Sequence, residues 1–161
     1  MPRTLLALSL AALAVSLWGC AAISPVTSGM DETQLQSRLG KPETVRKNSD
    51  GSETWEYPEG PLGRQTYMVT VGSDHAVRNV RQVLSDEYFS QVKTGMSRDD
   101  VRKLLGKPGE ISMFPARDEE VWSWRYQQVS PMFFNVLFDR SAGAVRTTQR
   151  LDEIQVMDHD M

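Results

Sequence analysis

The chain has 161 residues, of which 40% are hydrophobic and 24% charged, which suits one soluble globular domain or two very small ones. Its formal net charge of −3 argues against nucleic acid as a partner, because nucleic acid requires a basic face. The single cysteine excludes an internal disulfide, and one cysteine with two distant histidines cannot assemble a structural zinc site. We therefore expect no metal and no cofactor.

Residues 1–19 have the pattern of a secretory signal peptide. Arg3 supplies a positive charge, and the apolar run over residues 5–17 is shorter than the roughly 20 residues that a membrane-spanning helix needs. The run ends in "LWGC", which resembles a bacterial lipobox and predicts cleavage between Gly19 and Cys20, with acyl chains on Cys20. The alternative is a plain secretory peptide with an incidental cysteine.

Residues 20–28 are predicted to form a lipidated tether, because they are mostly small or polar and include Pro25. Several acyl chains on one residue would anchor the protein stably to a membrane. Ala21 follows the cysteine, where an aspartate often signals retention in the inner membrane. We therefore expect the periplasmic face of the outer membrane.

One segment that predicts a short helix occurs twice, as "GMDETQLQSRLGKP" at residues 29–42 and "GMSRDDVRKLLGKP" at residues 95–108. Each copy has a capping residue, an apolar stripe, a glycine expected in the left-handed C′ position and a proline that stops the helix. Helices of about two turns need packing to be stable. The positions that define the repeat are Gly29, Met30, Leu35, Leu39, Gly40 and Pro42 in the first copy, and Gly95, Met96, Val101, Leu105, Gly106 and Pro108 in the second.

Three strands are predicted to follow each helix, since apolar and aromatic residues alternate at period two between turn-rich segments. The predicted strands are 53–58, 67–71 and 76–83 in the first copy and 121–126, 134–138 and 144–151 in the second. The predicted fold is therefore α+β, with two tandem helix–β-β-β units, each a short antiparallel sheet packed by short helices.

The predicted unit boundaries are 29–84 and 85–161, the second including an acidic tail. Residues 85–93 predict a short extra helix, and residues 114–120 an insertion of the second unit. A unit of roughly 65 residues buries only a marginal core by itself. We therefore expect the two units to pack together as one body.

Together, the lipobox, the repeated Gly-Met and Leu-Gly-x-Pro positions, the aromatic strand and the closing strands resemble the SmpA/OmlA family of BamE-like bacterial outer-membrane lipoproteins. The match is closer for "GMSRDDVRKLLGKPGEI" than for "GMDETQLQSRLGKPETV". The resemblance implies a short antiparallel sheet with helices, periplasmic residence and no catalysis. The doubling departs from the family pattern and is similar to the tandem-repeat fold of β-lactamase inhibitor proteins.

The residue patterns contain no convincing catalytic constellation. His75 lies in a predicted hairpin turn and His159 in the tail, away from any nucleophile, and the pair Asp99-Asp100 is expected to cap a helix. The segment "DHD" at 158–160 lacks the rigidity that a metal site needs. The chain is accordingly not expected to be an enzyme.

Aromatic residues are the remaining candidates for recognition. Four of them alternate as core residues of predicted strands: Trp55, Tyr57, Trp124 and Tyr126. Aligning "WEY" with "WRY" gives Trp122 the place of Glu53 at the edge of the sheet, while Phe114 and Phe133 lie in or beside connections. These three residues are the predicted binding positions.

The sequence predicts an anchored periplasmic protein that binds an envelope protein, as an accessory factor in outer-membrane protein assembly or in envelope maintenance. The alternative is an inhibitor of a periplasmic hydrolase, which would insert the turn at 72–75 or at 139–143 into the enzyme. A small envelope enzyme would require a cleft with a perturbed titratable group, and the sequence offers no candidate for one.

Replacing Cys20 with serine is expected to release the protein from membranes, because serine cannot carry the thioether-linked lipid. Membrane and soluble fractions of cells that express wild type or Cys20→Ser, probed by immunoblot, test this. A variant that stays in the membrane pellet contradicts the anchoring prediction.

Overall fold

The computed structural model describes residues 26–153, which form an α+β fold with two four-stranded antiparallel sheets and few short helices. The predicted signal peptide with Gly19 and Cys20, most of the tether and residues 154–161 of the tail lie outside the described residues. The same order of elements occurs in both halves, a helix followed by four strands that pair in sequence order.

The first half consists of α1 (Glu32–Leu39), β1 (Thr44–Lys47), β2 (Glu53–Pro58), β3 (Thr66–Val71) and β4 (Val77–Gln82). The second half consists of α2 (Asp86–Phe89), α3 (Arg98–Leu105), β5 (Glu110–Phe114), β6 (Glu119–Gln127), β7 (Pro131–Asp139) and β8 (Ala144–Asp152), with a 3₁₀ turn, Pro115–Arg117, between β5 and β6.

The two repeated segments form the helices α1 and α3 with the predicted N-terminal caps. Asp31 accepts a hydrogen bond from the backbone N–H of Gln34 at 2.9 Å. Ser97 and Asp100 form a reciprocal capping box. The apolar positions of both copies face the interior: Met30, Leu35, Val101 and Leu105 are buried, and Leu39 and Met96 are half-buried.

The glycines that end the helices have backbone angles different from the prediction. Gly40 has φ +78° and ψ −163°, and Gly106 has φ +80° and ψ −168°. These angles lie outside the left-handed helical region, in a region that glycine almost alone occupies. The chain therefore leaves each helix extended and directed towards the next strand.

β1 and β5 are absent from the sequence prediction, and each sheet has four strands instead of three. β1 has four residues, two of them basic, and β5 overlaps the segment that was predicted to be an insertion. Their identity as strands comes from pairing with β2 and β6. The predicted helix over 85–93 is confined to α2.

Each sheet has an inner face, which its own helix covers, and an opposite outer face. On the inner face of the first sheet, Trp55, Tyr57 and Val69 pack with Met30 and Leu35 of the α1 segment. Tyr57 has no hydrogen-bond partner for its hydroxyl among the described residues, and burial raises its pKa to about 12.

The core of the second half crosses the boundary between the units. Its sheet contributes Trp124, Tyr126 and Phe134, and Phe89 of α2 stacks on Phe134 with ring centroids 4.1 Å apart. Met68, on the outer face of the first sheet, belongs to the same cluster. The second unit thus covers the part of the outer face of the first sheet around Met68.

A buried carboxylate fixes this contact. Glu56 on β2 is fully buried and accepts hydrogen bonds from the guanidinium of Arg102 at 2.8 and 2.7 Å and from the backbone N–H of Lys107 at 2.7 Å. A Cβ on Gly106 would lie 2.9 Å from this carboxylate and 2.9 Å from Thr66. Position 106 must therefore be glycine for the turn after α3 to pack against the first sheet.

Strand register corrects the alignment of the two units. Trp55 pairs with Val69, and Trp122 pairs with Val136. The indole N–H of each tryptophan donates to the glutamate two residues before it, at 2.9 Å for Trp55 and 2.6 Å for Trp122. Trp122 is therefore the counterpart of Trp55, lies on the inner face and is only 8% exposed, so its prediction as a binding residue is wrong.

Alanine at Gly40 and at Gly106 tests the contact between the units with a matched pair. Both substitutions incur about 1–3 kcal/mol of backbone strain. Gly40→Ala meets open space, whereas Gly106→Ala also collides with Glu56 and Thr66 and is expected to lose about 1–3 kcal/mol more. Urea unfolding followed by circular dichroism measures both, and equal losses would contradict the described contact.

Candidate functional site

Two surfaces of the second sheet expose large apolar side chains within residues 26–153. One is the outer groove, on the outer face of the sheet, lined by Phe114, Val121, Phe133, Asn135, Leu137 and Leu151 together with polar residues. The other is the β5 edge, formed by strand β5 with the exposed side chains of Ile111 and Met113.

The outer groove is wide and shallow, with a volume of about 480 Å³. Phe114 is 39% and Leu151 38% exposed, although both are large and apolar. Phe133 and Val121 are half-buried between them. An apolar surface of this kind, rimmed by polar residues, is typical of a protein-binding face.

Ion pairs neutralise the arginines beside the groove, which leaves the exposed Glu110 as the one lining charge without an ion pair among the described residues. Arg117 pairs with Glu119 at 3.1 Å, and its guanidinium lies 4.5 Å from the ring centroid of Phe114. Arg125 pairs with Glu153 at 3.4 Å and lies over the ring of Phe133. The groove therefore favours a partner surface that is apolar and uncharged over a highly charged ligand.

Asn135 is the polar residue at the floor of the groove. It is 9% exposed, and its Oδ1 atom has no hydrogen-bond partner among residues 26–153. A buried acceptor without a partner costs about 1–3 kcal/mol. Asn135 is therefore available to an incoming hydrogen-bond donor.

The β5 edge differs from the equivalent edge of the first sheet. β1 has four residues and ends in Arg46-Lys47, the kind of charge that discourages pairing with another chain. β5 has five residues and presents Ile111 and Met113, which are 49% and 54% exposed. The β5 edge is thus the less protected of the two.

Phe114 and Phe133, two of the three predicted binding residues, lie together in the outer groove. Sequence reasoning missed Ile111 and Met113, although their alternation in "EISMF" is a strand signal. It also missed Leu62, which is 70% exposed beside the groove on a loop of the first unit. That proximity depends on the packing of the units.

The buried carboxylates stabilise the fold. Burial by itself would raise the pKa of Glu120, but hydrogen bonds from Arg98 and Trp122 outweigh it and hold that pKa below its ordinary value. Arg98 donates to Glu120 at 2.9 and 2.5 Å. Neither Glu120 nor Glu56 lines the outer groove.

Within residues 26–153, no three histidine, cysteine or acidic side chains gather where they could hold a metal ion. Over the same residues, no helix combines the length and apolar character needed to cross a membrane.

The turns proposed for the inhibitor alternative are held by ion pairs of their own unit. Arg78 pairs with Asp74 at 2.6 Å, and His75 contacts Glu32 at 2.9 Å. In the second unit, Arg146 pairs with Asp139 at 3.5 Å. The hydrogen bond that His75 donates to the carboxylate of Glu32 raises the pKa of His75.

Comparison with protein families gives one match. Residues 82–130 match the model of the outer membrane protein assembly factor BamE domain. The match spans α2, α3, β5 and β6, and it confirms for this segment the family resemblance found in the sequence.

Among solved structures, the chain is similar to an extracellular SCP-domain protein from Bacillus anthracis, with 17% identity and a TM-score of 0.30, over 80% of this chain and 45% of that one. It is also similar to a putative β-lactamase inhibitor protein from Streptococcus mutans, with 16% identity and a TM-score of 0.32, over 82% and 88% of the two chains. The chain thus spans less than half of the Bacillus protein. No curated protein matches the sequence.

Removing the carboxylate of Glu32 is expected to lower the pKa of His75. The pair makes its full contribution to stability below the ordinary histidine pKa of 6.5, and this contribution is lost as the pH rises through the raised pKa. An NMR titration of wild type and Glu32→Gln measures this, with His159 as an internal reference. An unchanged His75 pKa in the variant would contradict the described pair.

Proposed function

We propose that this chain is a lipid-anchored periplasmic protein of the outer membrane that acts as an accessory factor in outer-membrane protein assembly. The observation that carries the proposal is the BamE-domain match over residues 82–130. That segment contains β5 with its unprotected edge, whereas β7 and β8 lie beyond it. The β5 edge is therefore the proposed contact for an envelope partner.

The proposed contact is strand addition. An extended segment of the partner would pair with the backbone of β5, and its side chains would pack against Ile111 and Met113 on one face and Phe114 on the other. Backbone hydrogen bonds supply affinity in this mode, and the alternating side chains supply specificity. The three side chains are 49%, 54% and 39% exposed, so each has apolar area to bury.

Acyl chains on Cys20 would hold this edge near the membrane. The described chain begins at Val26, which packs on the core of the first unit. Val26 lies six positions after Cys20, so the two are at most about 20 Å apart when the segment is extended. Anchoring at this range raises the effective concentration of the protein at a membrane-bound partner.

The two units, 29–84 and 85–161, are proposed to act as one body, with the first supporting the second. The support for this is the buried contact of Glu56 with Arg102 and Lys107, together with the core that Met68 shares with the second unit. The first unit would then present the second at a fixed distance from the membrane.

Lysine on the β5 edge tests the proposal, because a charged side chain on an edge strand opposes pairing. Ile111→Lys and Met113→Lys are expected to reduce the recovery of barrel-assembly subunits by roughly tenfold or more. Val45→Lys, at the equivalent position of β1, is the matched control and is expected to bind like wild type. Affinity purification from solubilised membranes with quantitative mass spectrometry measures recovery, and circular dichroism confirms folding.

Two results would overturn the assembly role: a wild-type eluate without barrel-assembly subunits, and an eluate in which a soluble hydrolase is recovered alone, which would support the inhibitor alternative. Equal losses in Val45→Lys and the two β5 variants would remove the β5 edge from the mechanism while leaving the assembly role.

A further inference from the structure

In the first sheet, the outer face is contacted by the helix end and glycine turn of the second unit. On the first sheet, the end of α3 and the turn at Gly106 lie against Glu56, Thr66 and Met68, and Arg102 donates to Glu56. Burial of this surface joins the two units. The outer groove is the same face of the second sheet, and none of the described residues covers it in this way.

Strand register relates the two outer faces residue by residue. Glu56 pairs with Met68, and Ser123 pairs with Asn135. With Trp122 as the counterpart of Trp55, Ser123 takes the place of Glu56 and Asn135 that of Met68. The site that holds the glycine turn in the first sheet therefore has an equivalent in the outer groove, formed by the uncharged Ser123 and Asn135, with Phe133 in the place of Thr66 and the exposed Glu110 opposite Ser123.

The first unit contains a turn that would fit this site, at Gly40, and that turn is exposed. The turn at Gly40 has the backbone angles of the turn at Gly106, and a Cβ built on Gly40 meets nothing within 4 Å. The N–H of Gly40 donates to the carbonyl of Gln36, as that of Gly106 does to Arg102. Gln36 is thus the counterpart of Arg102, and it is exposed.

We propose that the outer groove binds the end of α1 and the Gly40 turn of a second copy of this chain, so that copies associate head to tail. The contact would repeat between molecules the relation that joins the units within one molecule. It uses the groove around Ser123 and Asn135, whereas the proposed assembly partner pairs with the backbone of β5, and the two contacts share Phe114. Variants at Ser123 and at Ile111 test them separately.

The outer groove and the end of α1 carry complementary hydrogen-bonding groups. Inside the chain, a cationic donor, Arg102, meets an anionic acceptor, Glu56. Between copies, the uncharged amide of Gln36 would meet Ser123 and the Oδ1 atom of Asn135, which lacks a partner among the described residues. Both members of the pair change from charged to neutral together, so no charge is buried alone.

Such an association joins different surfaces of the two copies and is therefore open-ended unless the rotation between copies closes a ring. The contact within the chain is assisted by the covalent connection between the units, which the contact between copies lacks. We expect weak association in dilute solution and stronger association among copies held on one membrane.

Transplanting the internal ion pair tests the inference. Ser123→Glu alone adds a carboxylate beside Glu110 with no cation to pair it, and is expected to weaken association. Gln36→Arg alone has no carboxylate at position 123 to meet, and is expected to associate no more tightly than wild type. A mixture of the two variants recreates the Glu56–Arg102 pair between copies. It is expected to associate roughly tenfold more tightly than either variant, because hydrogen bonds between charged groups are the stronger ones.

Sedimentation velocity of the detergent-solubilised full-length chain over a concentration series measures the association. Ser37→Arg, on the exposed neighbouring position of α1, is the matched control and is expected to behave like wild type. Circular dichroism establishes that each variant is folded.

The inference is overturned if wild type sediments as one unassociated species at all concentrations, or if Gln36→Arg mixed with Ser123→Glu associates no better than Ser37→Arg mixed with Ser123→Glu. It is also overturned if Ser123→Glu leaves self-association unchanged but removes an envelope protein from the affinity eluate. In that case the groove belongs to that protein.

Discussion

The buried carboxylate of Glu56 is the constraint on which the rest of the structure depends. A charge removed from water costs several kcal/mol unless it is paired and hydrogen-bonded, and Glu56 finds its cation and its backbone donor only in the second unit, at Arg102 and Lys107. The first unit therefore cannot bury this residue alone. The requirement joins two modules, each too small for a sufficient core, into one body.

This joining decides which surfaces face a partner. The end of α3 occupies part of the outer face of the first sheet, and β1, at one edge of that sheet, is short and ends in two basic residues. The second sheet has an open outer face and an edge strand with exposed apolar residues. The first unit is thus suited to support, and the second, which contains the BamE-domain match, is suited to recognition.

Local rules were sufficient for the helices but not for the register of the sheets. The caps at Asp31 and Ser97 follow from side chains that act within one turn. The alignment of "WEY" with "WRY" was wrong, because strand register depends on partners far away in sequence. The shared pattern Glu-x-Trp, at Trp55 and Trp122, was the better signal, since a hydrogen bond joins its two ends in both sheets.

The sequence by itself determined that two similar helix-and-sheet units exist, where their helices begin and end, and which aromatic residues form most of the core, because these features arise from capping, glycine turns and alternation between neighbouring residues. Only the tertiary structure decided that β1 and β5 are strands, that Trp122 is buried and that Phe114 and Phe133 share a groove. Those outcomes depend on strand pairing and on which face the other unit covers, and both are set by contacts between residues distant in the chain.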